Sequence, residues 1–133
     1  MNIQSAYIDY YVGSYGKTIR IAVKNKPWVT SFRDNIIKIF MNENDRLDIC
    51  KLDDTECSET INELMLIRVS EGTTPCMVLN SKKDPMRFRW IQDKEGIETL
   101  LCLIDSLIDR DSPCHQYLAH EEDGCIIELS YNE

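Results

Sequence analysis

The spacing of apolar residues changes twice from a period of two to a period of about 3.6 and back, so the chain must combine strands with packed amphipathic helices. Ala6 to Val12 and Thr18 to Lys24 are rich in Tyr, Ile and Val and predict two strands joined by Gly13-Ser14-Tyr15-Gly16, whose glycines tolerate positive φ. In the second strand Ile19, Ile21 and Val23 share one face, which predicts packing on a core. After Pro27, Phe32, Ile36, Ile39 and Phe40 fall at i, i+4, i+7 and i+8 and predict a helix. Two starts are open for it: Ser31 with Asp34 in a capping-box arrangement, or Pro27 in the first turn.

A short strand is expected at Leu47 to Leu52, followed by a three-strand meander at Glu63 to Ser70, Cys76 to Asn80 and Met86 to Gln92. Gly72-Thr73-Thr74-Pro75 and Lys82-Lys83-Asp84-Pro85 separate the three. In the last strand Met86, Phe88 and Trp90 alternate with Arg87, Arg89 and Ile91. Asp93 is placed to cap a second helix whose Ile97, Leu100, Leu101, Ile104, Leu107 and Ile108 form a wide apolar stripe ending near Pro113. His115 to His120, a turn through Glu121-Glu122-Asp123-Gly124, and Cys125 to Tyr131 close the chain as a hairpin. Hairpin-length connections predict an α+β fold, a mainly antiparallel sheet with two amphipathic helices packed against it, over residues 1–133 as one domain.

Charge narrows the choice of partners. The 133 residues carry a formal net charge of -8, and much of it lies between Glu43 and Glu63. There Glu43, Asp45, Asp48, Asp53, Asp54, Glu56, Glu59 and Glu63 are answered only by Arg46 and Lys51. Such a stretch attracts cationic surfaces and repels nucleic acid. A hydrophobic fraction of 43% argues for a folded chain rather than a disordered one. Met1 to Ser5 has no signal-peptide character and no segment is apolar enough to span a bilayer, so a cytosolic protein with no membrane role is expected. The six cysteines, Cys50, Cys57, Cys76, Cys102, Cys114 and Cys125, are then expected as reduced thiols that pack as small hydrophobes, Cys102 within the run Thr99 to Ile104 among them.

Catalytic and metal chemistry find little support. Cys114, His115, His120 and Cys125 are zinc-ligand types, but a regular strand points His115 and His120 to opposite faces, and only His115-x4-His120 has a finger-type spacing, without the expected zinc-finger order. Cys114 beside His115 fails as a nucleophile and base for the same geometric reason. The carboxylates between Asp45 and Glu56 lack the ligand alternation and central glycine of a calcium loop. Lys82, Lys83, Arg87 and Arg89 with Phe88 and Trp90 are residue types that bind nucleic acid, yet the aromatics share the face opposite the arginines, which suits a core. No enzyme activity, cofactor or metal is expected.

The C-terminal part, Gly96-Ile97-Glu98-Thr99-Leu100-Leu101, His115-Gln116-Tyr117-Leu118 and the strand from Cys125 to Tyr131, in an acidic α+β chain, resembles bacterial toxin-immunity proteins of contact-dependent growth inhibition and related polymorphic toxin systems. The resemblance implies a bacterial protein that binds the C-terminal domain of a cognate toxin, of nuclease type and basic, and holds it inactive without chemistry of its own. In that role Asp53, Asp54, Glu56 and Glu59, with Glu121, Glu122 and Asp123, would supply the attraction, and Tyr10, Tyr11 and Tyr15 the anchors. The alternative is a small acidic adaptor or regulatory module for a basic cellular protein.

Overall fold

In the computed structural model, which describes residues 5–70, 76–79 and 85–133, the first change of period falls where expected. The hairpin of β1 (Ala6–Gly13) and β2 (Gly16–Val23) gives way to α1 (Lys26–Phe40). Of the two possible helix starts, the one at Pro27 is used. Asn25 is the N-cap, its Oδ1 accepting Trp28 N–H at 3.1 Å, with Pro27 in the first turn. The earlier start adds Trp28 and Val29 to the buried face of Phe32, Ile36 and Ile39, and Ser31 and Asp34 lie inside the helix.

The chain continues through β3 (Arg46–Asp48), a 3-10 turn (Ile49–Lys51), β4 (Thr55–Cys57), β5 (Ile61–Arg68), β6 (Cys76–Leu79) and β7 (Met86–Gln92). It ends with α2 (Lys94–Ile108), β8 (Cys114–Ala119), a 3-10 turn (Glu121–Asp123) and β9 (Ile126–Tyr131). Asp93 caps α2 as expected, accepting Gly96 N–H at 2.8 Å. The expected separators at 72–75 and 82–84, together with Asn80, lie outside the described residues.

The α+β class and the two helices are as expected; the single, mainly antiparallel sheet is not. Two mixed sheets form, one in the order β4-β1-β2-β9-β8 and one in the order β3-β5-β7-β6. Pairs β1–β4, β2–β9 and β5–β7 are parallel, the others antiparallel. Short connections bring successive strands close without making them neighbours. β7, whose Met86, Phe88 and Trp90 are all buried, takes the place between β5 and β6, so the expected meander becomes a parallel pair with β6 outside it.

Alternation sets the two faces of the five-stranded sheet. Ala6 and Ile8, then Ile19, Ile21 and Val23, then Ile127 and Leu129 point inward and are at most 2% exposed. They share one apolar cluster with Leu64, Leu66, Phe88 and Trp90 of the second sheet and with the buried faces of both helices. Each fully buried Ile or Leu contributes about 1.5–3 kcal/mol relative to an exposed one. The helices are tied by Arg33 and Asp105, whose Nη2 and Oδ2 lie 3.3 Å apart. That hydrogen bond also holds the guanidinium pKa above its ordinary value. Lys26 Nζ donates to the Ile108 carbonyl at 2.5 Å, placing a cation on the otherwise unpaired C-terminal carbonyls of α2.

Candidate functional site

The outward residues of the five-stranded sheet form three rows across its strands. The first runs Glu56, Tyr7, Ala22, Ser130 and His115. The second runs Asp9, Arg20, Glu128 and Tyr117, and the third Tyr11, Thr18 and Ile126. Tyr15, 81% exposed, stands at the hairpin turn. Among the described residues the exposed large hydrophobic side chains are Tyr7, Tyr11, Val12, Tyr15, Tyr117 and Met41. All but Met41 therefore belong to this hairpin and face. Tyrosines concentrated in this way, surrounded by polar groups, are a usual feature of protein-binding surfaces.

The third row opens into a groove of about 930 Å³. Thr18 and Ile126 lie between Tyr11 and Tyr15 on the hairpin side and Tyr117, His120 and Glu122 on the other, with Glu128 adjoining. Thr18 is only 6% exposed, its hydroxyl turned to the Gly16 carbonyl at 3.1 Å. A bulge shapes the far wall. β8 slips its register between Tyr117 and Ala119, so the consecutive residues Leu118 and Ala119 are both buried. This overturns the expectation that His115 and His120 face opposite ways. Both imidazoles lie beside Tyr117, with centroids 5.3 Å and 6.4 Å from its ring.

The structure divides the anticipated site residues. Tyr11 and Tyr15 share the groove, whereas Tyr10 faces the opposite way, its ring 5.1 Å from Phe88 between the two sheets. Glu122 lines the groove; Asp123 is half-buried and accepts His120 N–H at 3.0 Å within the 3-10 turn that also contains Glu121. Asp53, Asp54, Glu56 and Glu59 are exposed along the β4 edge, and Glu56 shares the outer face with Tyr7. Four residues along β1 separate Tyr7 from Tyr11, about 13 Å. The two acidic groups therefore flank one surface.

Two carboxylates of the acidic stretch are occupied by the fold. Asp54 has φ 62°, its carbonyl accepts the Ser5 and Ala6 amides at 3.1 and 3.3 Å, and its carboxylate accepts the Ser5 hydroxyl. Asp48 accepts the amides of Cys50 and Leu64 at 3.1 and 3.2 Å. Sequence reading missed Tyr7, Asp9, Tyr117 and Glu128. The outward parity of Tyr7, Asp9 and Tyr11 in β1 was a usable signal; the placement of β9 between β2 and β8 was not.

Cys114 and Cys125 are buried while His115 and His120 are exposed, so the four do not assemble as a zinc site, nor Cys114 with His115 as a nucleophile and base. Burial raises the Cys125 thiol to about 11. Cys50 and Cys57 are hydrogen-bonded; that bond and burial both raise the Cys50 thiol, whereas at Cys57 the bond lowers the thiol against the opposing effect of burial. Cys102 is exposed rather than packed, because it falls outside the α2 stripe of Leu100, Ile104 and Leu107. His115, Glu128 and Glu133 offer ligand atoms within 4.8 Å of one another, within reach of a cation. His115 Nδ1 and Glu133 Oε1, at 2.9 Å, already account for that approach as a hydrogen-bonded pair. Phe88 and Trp90 are buried and cannot stack on bases, and Lys82 and Lys83 lie outside the described residues.

Among the described residues no helix is long and apolar enough to cross a membrane. Compared with known proteins, the chain matches no family model, and no curated protein and no solved structure is significantly similar to it. Fold and site together define an α+β chain that presents an acidic, tyrosine-rich sheet face.

Proposed function

We propose that this chain is an immunity protein that binds a basic toxin domain of nuclease type through the outer face of its five-stranded sheet and holds it inactive. One observation carries the reading: the exposed tyrosines converge on a face where Asp9, Glu56, Glu122 and Glu128 outnumber Arg20. A nuclease must attract phosphates, so its cleft presents cations, and an acidic face competes for them. Carboxylates speed the encounter, and desolvated aromatic rings slow release. Inhibition of this kind needs no reacting group.

The test is to look for a basic toxin domain encoded beside this gene and to co-express the two. The wild-type chain restores growth, and Tyr11→Ala with Tyr117→Ala loses protection while keeping the wild-type melting temperature. A neighbouring toxin that kills cells despite full expression of the folded chain would sink the proposal.

A further inference from the structure

We propose that the groove between Tyr11, Tyr15 and Tyr117 is a receptor site for one arginine side chain of the partner. This deepens the reading that the face binds a basic protein.

The lining points to a planar cation. Three phenol rings supply the faces and edges on which a guanidinium stacks, and Glu122 and Glu128 supply carboxylates that it can grip with two parallel hydrogen bonds. No lysine or arginine is among the described lining residues. Neither carboxylate is in an ion pair among the described residues, where Asp105, Asp45 and Glu133 are used instead, and Glu128 lies within 4.8 Å of His115 and Glu133 at the groove's edge. Arg20, next to Glu128 in the register, donates to Ser130 Oγ at 3.2 Å. The backbones of β1 and β8 are three strand spacings apart, about 14 Å, with the compact Thr18 between them. That width, and about 930 Å³ of space, admits a side chain with its flanking backbone rather than a bare ion. Arginine is favoured over lysine because an ammonium can neither stack as a plane nor bind a carboxylate through a fork.

The probe is an acetylated tetra-arginine amide titrated into the full chain and followed by backbone NMR at low salt. The largest shifts are expected at Tyr11, Thr18, Tyr117 and Glu128, with binding several-fold tighter than for the tetra-lysine amide. Glu128→Gln and Tyr117→Leu should each weaken it by about fivefold to tenfold. Glu98→Gln with Asp111→Asn, an equal or larger loss of charge at exposed sites in and after α2, should change it by less than twofold. Melting curves show that each variant is folded. No shifts, shifts centred elsewhere, or equal weakening by the two sets of variants would each overturn the site. A peptide seated in the groove of a chain that neutralises no toxin leaves the arginine site and removes the inhibitor reading. Neutralisation that survives Tyr117→Leu and Glu128→Gln does the reverse.

Discussion

Adjacent carboxylates in the acidic stretch should respond differently to the same substitution. Asp53 is exposed, and its side chain has no hydrogen bond or ion pair among the described residues. Asp54 closes a chain of contacts in which Asn25 Nδ2 donates to Ser5 Oγ at 2.8 Å and Ser5 Oγ donates to the Asp54 carboxylate. Asn25 is also the cap of α1, so one relay joins the helix start, the beginning of β1 and the turn into β4. Asp54→Lys removes a charged acceptor, about 1.5–3 kcal/mol. It also places a long side chain at φ 62°, where an aspartate is better tolerated, for about 1 kcal/mol more. Because Asp54 is exposed, the smaller hydrogen-bond figure applies and the total is about 2.5 kcal/mol.

At about 2.1 cal/mol/K per residue, 133 residues have an unfolding entropy of about 0.28 kcal/mol/K. Calorimetry should therefore find Asp54→Lys melting about 9 °C below wild type, and Asp53→Lys within about 2 °C of it. Equal melting temperatures for the two variants would refute the relay. A charge-reversal test of the proposed binding face must accordingly spare Asp54.

Three further outcomes follow from named contacts. Reversing Asp53, Glu56 and Glu59 to lysine changes the face by about six charge units; at ~10 Å each is worth about 0.1 kcal/mol per partner cation, so stopped-flow association should slow at least about threefold and lose most of its salt dependence. Asp93→Ala removes the α2 cap at 2.8 Å and should lower the melting temperature by about 4 °C in calorimetry, whereas Ser31→Ala, within α1, should not. Brief alkylation read by mass spectrometry should modify Cys102 and Cys57 ahead of the buried Cys50, Cys114 and Cys125; early labelling of Cys125 would contradict its inward position.

Local signals in the sequence were reliable where the neighbours along the chain decide the outcome. The spacing of Phe32, Ile36 and Ile39, the Asp93 cap and the alternation of Met86, Phe88 and Trp90 all depend on nearby residues, and each is found in the structure. Strand order is decided by which surfaces bury most against each other across the whole chain. That is why β9 beside β2 and β7 beside β5 were not legible. The candidate site suffers the same loss, since it draws on β1, β2, β8 and β9 together. Its histidines were misplaced because one extra residue in β8 reverses the alternation, and nothing in Tyr117-Leu118-Ala119 signals that bulge. Tyr10 was misread because adjacent tyrosines in one strand look alike in composition but differ by a face.

The most direct test of the central claim is hydrogen exchange on the chain with and without the basic toxin domain proposed as its partner. Slowed exchange at residues 7–18 and 117–128, with the exposed side of α2 unchanged, is the predicted footprint. Protection centred instead on α2, or on the outer face of β7 at Arg87 and Arg89, would contradict it.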